Sequence, residues 1–298
     1  MKASLDHLPE GKRRELSRVV EILFAEFEDA LKGRNAPHRK AGRILKIILF
    51  GSYARGDWVD DPVGGYKSDY DLLVVVNHDE LTDTLEYWAK ADDHLLREYQ
   101  IAKRLSAPAN FIVHSLTDVN KQLKKGRPFF VDIVRDGIAL YEAPDHPFEH
   151  PQPLSADEAR KEAQGYFDEW FRSAEAFERG AQFYLSDGRP KEAAFSLHQA
   201  TERYYHCLLL VLTLYSPKSH KLNFLRSQAE RLAPELIAAW PRENRFEQRC
   251  WELLRRAYVD ARYSPHYKIT GEELAWLGAR VDVLRGLVDG ACREHLQA

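Results

Sequence analysis

Residues 50–76 read FGSYARGDWVDDPVGGYKSDYDLLVVV, with a Gly-Ser turn after one apolar run and an Asp-x-Asp pair opening the next. The preceding run, RILKIILF at 43–50, and the following one, DLLVVV at 71–76, are short, rich in branched residues and bounded by turn residues, which predicts two strands. A strand that ends in Gly51-Ser52 and passes into the helix-like YARG offers backbone N–H groups to an anion. Gly51 lets a phosphate approach the main chain closely. Asp69 and Asp71, two apart on a strand, project to the same face and repel each other unless a cation neutralises them. Hard oxygen ligands at this spacing suit Mg²⁺, which binds one or two carboxylates together with substrate phosphate oxygens.

Outward from this unit, residues 9–32 carry Val19, Leu23, Phe24 and Phe27 among charges, an amphipathic helical period. Residues 79–105 repeat that pattern through Leu81, Leu85, Trp88, Leu95 and Leu96. NFIVHSL at 110–116 predicts a third strand, PFFVDIVRDG at 128–137 a short helix, and IALYE at 138–142 a last strand. The first half, residues 1–142, is therefore an α/β domain with a small mixed sheet. Residues 143–154 lose periodicity in a run of Pro and His and are read as a linker. From Ser155, which with Glu158 forms a capping box, helices are expected at about 155–187, 189–214, 219–239, 243–264 and 271–296. The second domain, 155–298, is thus an all-α bundle. In its fourth helix Phe246, Cys250, Leu253, Leu254, Ala257 and Ala261 form the apolar face.

Composition sets limits on function. With 43 basic and 46 acidic residues the formal net charge is −3, so no global field recruits nucleic acid or an anionic membrane. Cys207, Cys250 and Cys292 make an odd set within apolar helical stretches. They read as buried reduced thiols, which predicts a cytoplasmic protein. The longest apolar run, CLLLVLTLY at 207–215, is too short to span a bilayer.

FGSYARG followed by SDYDLLVVV resembles the minimal nucleotidyltransferase domain of the DNA polymerase beta superfamily, over about residues 10–142. The resemblance implies that Gly51 and Ser52 hold the β and γ phosphates of a nucleoside triphosphate and that Asp69 and Asp71 hold two Mg²⁺. A hydroxyl then attacks the α phosphate and pyrophosphate leaves. Arg55, one turn past Ser52, is expected to add charge to the triphosphate. This chain departs from the family in two ways. Sixteen residues separate Ser52 from Asp69, the extra length lying in DWVDDPVGGY, a turn-rich insertion expected to act as a lid or partner surface. The third carboxylate that the family takes from a neighbouring strand is absent from ANFIVHSL, where Asn110, His114 and, just beyond, Asp118 are the alternatives.

EAAFSLHQATERYYHCLLLVL at 192–212, SHKLNFLRSQAERL at 219–232 and RRAYVDARYSPHYKITGEEL at 255–274 resemble the HEPN superfamily over about 155–296. The resemblance rests on Gln199–Glu202, His220–Leu222 and Ala261–Tyr263. Active members are ribonucleases that use an arginine, four to six residues, then a histidine. Here Arg262 and His266 are only three residues apart, a pair that suits a phosphate site or the carbonyls of a helix C-terminus. His198 and His206, eight apart on one helix, are expected to line the bundle. Fusion of the two domains is also similar to the kanamycin-type nucleotidyltransferases, in which ligands sit between domains and subunits. In that case a homodimer is expected, and Asp57, Asp60 and Asp61 suit a polycationic drug. Together these resemblances imply transfer of a nucleoside monophosphate, AMP from ATP, to a protein or small-molecule hydroxyl. The alternatives are a nucleotide-binding regulatory module with weak or no activity, or a toxin-antitoxin fusion whose second domain cleaves RNA.

Overall fold

The computed structural model describes residues 4–32, 36–60 and 68–298. The chain divides into two compact units, residues 1–154 and 155–298.

In the first unit α1 (Glu10–Leu31) and the short α2 (Pro37–Lys40) lead into β1 (Ile44–Phe50), followed by the single-turn α3 (Ser52–Arg55) and β2 (Tyr70–Val76). Then come α4 (Ala89–Gln100), β3 (Ala109–Ser115), α5 (Leu116–Lys124), α6 (Pro128–Asp136) and β4 (Ile138–Glu142). The sheet order is β3-β2-β1-β4, with β1 antiparallel to both its neighbours and β2 parallel to β3. Every residue of β1 and β2 is buried, which explains why both read as continuous apolar runs: the two central strands are covered on both faces. On one face Leu16, Val19, Leu23 and Phe27 of α1 meet Ile47, Leu49, Leu72 and Val74. On the other, Phe129 of α6 packs edge-on against Phe50, with ring centroids 5.6 Å apart. Lys46, 1% exposed, is the exception in β1; its ammonium pairs with Glu142 and lies 4.9 Å from the centre of the Phe148 ring.

The helical period expected across 79–105 is broken in the structure. A 3₁₀ turn (Asp79–Thr82) and a π turn (Thr84–Trp88) precede α4, so Leu81 and Trp88 are buried while Leu85 and Leu96 point outward. Asp83 causes part of this break, because its carboxylate accepts the N–H groups of Leu85 and Glu86 and starts a fresh turn there. Helix α5 was not legible as a separate element. It starts where Ser115 takes the Asp118 N–H onto its hydroxyl.

The second unit contains α7 (Ala156–Ser186), α8 (Pro190–Thr213), α9 (Leu222–Leu232), a 3₁₀ turn (Pro234–Ala239), α10 (Arg245–Tyr263) and α11 (Gly271–Gln297). Helix α8 is the central element, buried at most positions from Ala193 to Val211 because other helices surround it. Ser155 caps α7 as its sequence implied, accepting from the Glu158 N–H at 3.3 Å, and Thr270 with Glu273 forms a full capping box on α11. All three cysteines are reduced and buried. Among the described residues, no helix is long and apolar enough to cross a membrane.

Candidate active site

The antiparallel register of β1 and β2 pairs Phe50 with Asp71, so the turn leaving β1 and the acidic residues entering β2 meet at one end of the sheet. The parallel register of β2 and β3 sets Asn110 beside Asp71. Three chain segments far apart in sequence therefore close on one point.

Gly51 has φ 76° and ψ −154°, a combination that Cβ sterics deny to other residues, and this turns the chain sharply from β1 into α3. The first N–H groups of such a turn have no intrahelical acceptors. Gly56, at φ 94°, ends the turn, its N–H donating to the Ser52 carbonyl at 2.8 Å. Arg55 is exposed, and its guanidinium grips Asp57, Nε to Oδ2 at 3.2 Å and Nη2 to Oδ1 at 3.1 Å. The spacer is closed at its base: the Val59 N–H donates to Ser68 Oγ at 2.9 Å, and the Ser68 N–H to the Val59 carbonyl at 2.8 Å. Asp57 and Asp60 are exposed, whereas Asp61 and the greater part of the DWVDDPVGGY insertion lie outside the described residues.

Asp71 is 6% exposed, and Asp69 is half-buried one residue ahead of β2. The Asn110 Nδ2 donates to Asp69 Oδ2 at 2.8 Å. The other two alternatives for a third ligand are elsewhere. His114 is in register with Val75, four residues further along β3, about 13 Å from Asn110 at strand rise. There its Nδ1 meets Asp118 Oδ2 at 2.6 Å, and this hydrogen bond holds the Asp118 carboxyl below its usual range. Asp69 and Asp71, one half-buried and one buried, fit one hard divalent cation with phosphate oxygens completing its shell. Their two charges do not by themselves neutralise a pair of such ions. Among the described residues, no group of three or more His, Cys, Asp or Glu is placed to hold a metal.

Behind the turn lies a polar layer that motif reading missed. Tyr53 of α3 is buried, stacked on Trp58 and tilted 4.4 Å from Tyr70. The Tyr70 hydroxyl donates to Glu15 Oε2 at 2.8 Å, and the Ser106 N–H and hydroxyl each reach the same oxygen at 2.9 Å. Lys12 donates to Ser106 Oγ at 2.6 Å, and a His7 ring nitrogen meets the Tyr53 carbonyl at 2.7 Å. Burial, with Glu15 adding to it, keeps the Tyr70 phenol protonated and donating. Glu15 and Lys12 sit on the polar side of an amphipathic helix, where nothing in the sequence separates them from solvated charges.

In the second unit the three HEPN-like segments also converge. Glu202 of α8 is buried and takes His220 Nδ1 onto Oε1 at 3.0 Å, while His198 Nε2 stands 3.4 Å from its Oε2 and His206 Nε2 3.9 Å from its Oε1. Burial alone would raise the Glu202 pKa, but His198 and His220 hold it at about 2. His220 is raised by its bond to Glu202, whereas burial drops His206 to about 4. The 198–202–206 spacing supplies the i, i+4 carboxylate that links the two histidines, a pattern visible in the sequence. His220 stacks flat on Tyr258, with centroids 4.5 Å apart, and the Arg262 guanidinium lies 4.5 Å from the same ring centre. Arg262 also turns back along α10, its Nε donating to the Tyr258 carbonyl at 2.7 Å. His266 is exposed beyond the helix end, and Tyr267 is buried with its hydroxyl on the Leu253 carbonyl at 3.0 Å.

Comparison with known proteins agrees with both halves. Residues 38–144 match the polymerase beta nucleotidyltransferase domain, and residues 167–280 match the HEPN domain. A Methanocaldococcus jannaschii protein that carries the provisional name protein adenylyltransferase is 34% identical over 121 residues, covering 41% of this chain and 97% of the relative. The Gly51-Ser52 turn, the Asp69–Asp71 pair and these matches together make the chain a member of the polymerase beta nucleotidyltransferase family, joined to a HEPN domain.

Proposed function

We propose that this nucleotidyltransferase moves AMP from ATP to a hydroxyl, with a protein as the favoured acceptor. The observation that carries the reading is the Phe50–Asp71 register, which sets a glycine-dependent turn against two acidic residues at one sheet end. In this reading Gly51 and Ser52 receive the β and γ phosphates on backbone N–H groups and the serine hydroxyl. Asp69 and Asp71 hold Mg²⁺, which when bound supplies positive charge to the phosphate oxygens. The acceptor oxygen bonds to the α phosphorus, the bond from that phosphorus to pyrophosphate breaks, and the hydroxyl proton leaves. Arg55 contributes charge only by exchanging Asp57 for a phosphate. The provisional name of the M. jannaschii relative supports both AMP and a protein acceptor. Should the protein modify itself, Tyr263, 73% exposed, presents its side chain to solvent, whereas Tyr267 is closed by its buried hydroxyl bond. A small-molecule acceptor remains the variant of this reading that the exposed Asp57 and Asp60 suit. The three buried thiols suit a cytoplasmic setting.

A second reading, a nucleotide-binding module with slow or no transfer, is favoured by one observation: an amide stands beside Asp71 on β3 where a third carboxylate was expected. Incubation of the purified chain with each α-labelled triphosphate and Mg²⁺, with and without candidate acceptors, separates the two. Label transferred from ATP supports the enzyme; retention of ATP without transfer supports the module.

A further inference from the structure

We infer that the acidic centre is a one-ion site and that Asn110 sets that number. The inference rests on the nucleotidyltransfer reading for its location, and on the donor set for its content. A two-ion centre puts two divalent cations about 3.5–4 Å apart, and it is stable only where enough negative charge lies between and around them. Without a nucleotide, Asp69 and Asp71 supply two negative charges, enough to neutralise one such ion and half the charge of two.

The third strand decides the rest. Parallel pairing sets Asn110 directly beside Asp71, the place from which a side chain on β3 reaches a shared ion. Asn110 brings a neutral amide there, and the group turned toward Asp69 is its Nδ2, a donor that no cation accepts. The 2.8 Å bond also takes up lone-pair capacity on Asp69 Oδ2 and fixes that carboxylate's orientation. Asn110 is therefore a positioning residue: it replaces the charge that would hold a second ion with a clamp on a ligand of the first. The nearest ionisable groups on that strand and helix, His114 and Asp118, are bound to each other at the far end of β3 and cannot compensate.

Counting Mn²⁺ by electron paramagnetic resonance tests this without turnover. The full-length wild type alone is expected to bind one Mn²⁺, Asp71→Asn at least tenfold more weakly, and Asn110→Asp either two or one with at least tenfold higher affinity. Two equivalents on the wild type, or a count and affinity unchanged by Asn110→Asp, overturn the inference. Asn110→Ala guards against a folding artefact: it removes the clamp without adding charge and is expected to keep a count of one. A parallel titration adds α,β-methylene ATP. If the analogue is not retained while the count stays at one, the nucleotidyltransfer reading fails and the one-ion centre stands.

Discussion

Two buried carboxylates, Asp71 in the first unit and Glu202 in the second, sit in opposite electrostatic settings. Glu202 is answered from within: imidazoles of His198, His206 and His220 lie around it, and its pKa stays at about 2 despite burial because hydrogen bonds from His198 and His220 favour its ionised form. Asp71 lies beside Asp69, a second carboxylate, and the group that reaches this pair from β3 is the neutral amide of Asn110. A carboxylate satisfied by its own protein stabilises the fold, whereas a like-charged pair gathered at a sheet end is stabilised by a cation from outside. The first arrangement is architecture, and the second, on the proposed reading, is a binding centre.

The largest expected effect comes from removing that pair. Asp69→Ala with Asp71→Ala should lower label transfer from ATP by at least a thousandfold, about 4 kcal/mol of barrier, while thermal unfolding changes little or rises as like-charge repulsion is relieved. Equal transfer in the double variant breaks the contrast at its first member. Glu202→Gln probes the second member. Loss of the charge that the imidazoles share should cost about 2–4 kcal/mol in urea unfolding at pH 7 and leave transfer by the first unit within about threefold. Unchanged stability would mean that the histidine cluster is packing alone.

Acid sharpens the same contrast. His206 has its pKa lowered by burial to about 4, so the unfolded chain binds protons more readily, and stability falls as pH drops from about 6.5 toward 4. Glu202, held at about 2 despite its burial, then loses its contribution between about 4.5 and 2. His220 works the other way: its raised pKa adds stability that is full below about 6.5 and fades as pH rises through the raised value. Urea midpoints in the wild type should therefore rise as pH drops from 8 to about 6.5, where His220 takes up its proton, and fall from about 6.5 toward 3, where His206 and then Glu202 lose their contributions. A flatter slope below pH 6.5 is expected in His206→Gln. The smallest effect is that of Arg55→Ala. Its ion pair with Asp57 is exposed, so stability should move by less than about 0.5 kcal/mol, and a rise in the KM for ATP with unchanged Tm would assign it to the triphosphate.

Much of this was legible in the residues. The strands at 43–50 and 71–76 and the Gly51-Ser52 turn are local features, set by apolar runs and by a glycine at positive φ. The helical stretches of the second half follow from the cap at Ser155 and breaks at Pro190, Pro217, Pro241 and Pro265, except that the helix expected over 219–239 ends at Leu232 and gives way to a 3₁₀ turn from Pro234. Where the sequence misled, the reason was tertiary. Leu85 and Leu96 fit a helical stripe from Leu81 to Leu96, but an intervening π turn rotates them into solvent. His114 and Asp118 were candidates by type and proximity in sequence, and strand register carried them to the wrong end of β3.

The sequence by itself determined which chemical groups this protein has and which local shapes present them: a phosphate-sized turn, two aspartates on one strand edge, and a helical bundle with histidines at i, i+4 from a glutamate. Only the tertiary structure decided which groups meet. Strand register, fixed by burial of whole apolar faces, brought Asn110 rather than His114 to Asp69 and Asp71. Helix packing brought His220, eighteen residues from Glu202, onto that carboxylate and against Tyr258. Contacts between distant segments depend on how surfaces are buried together, and no local pattern of residues encodes that pairing.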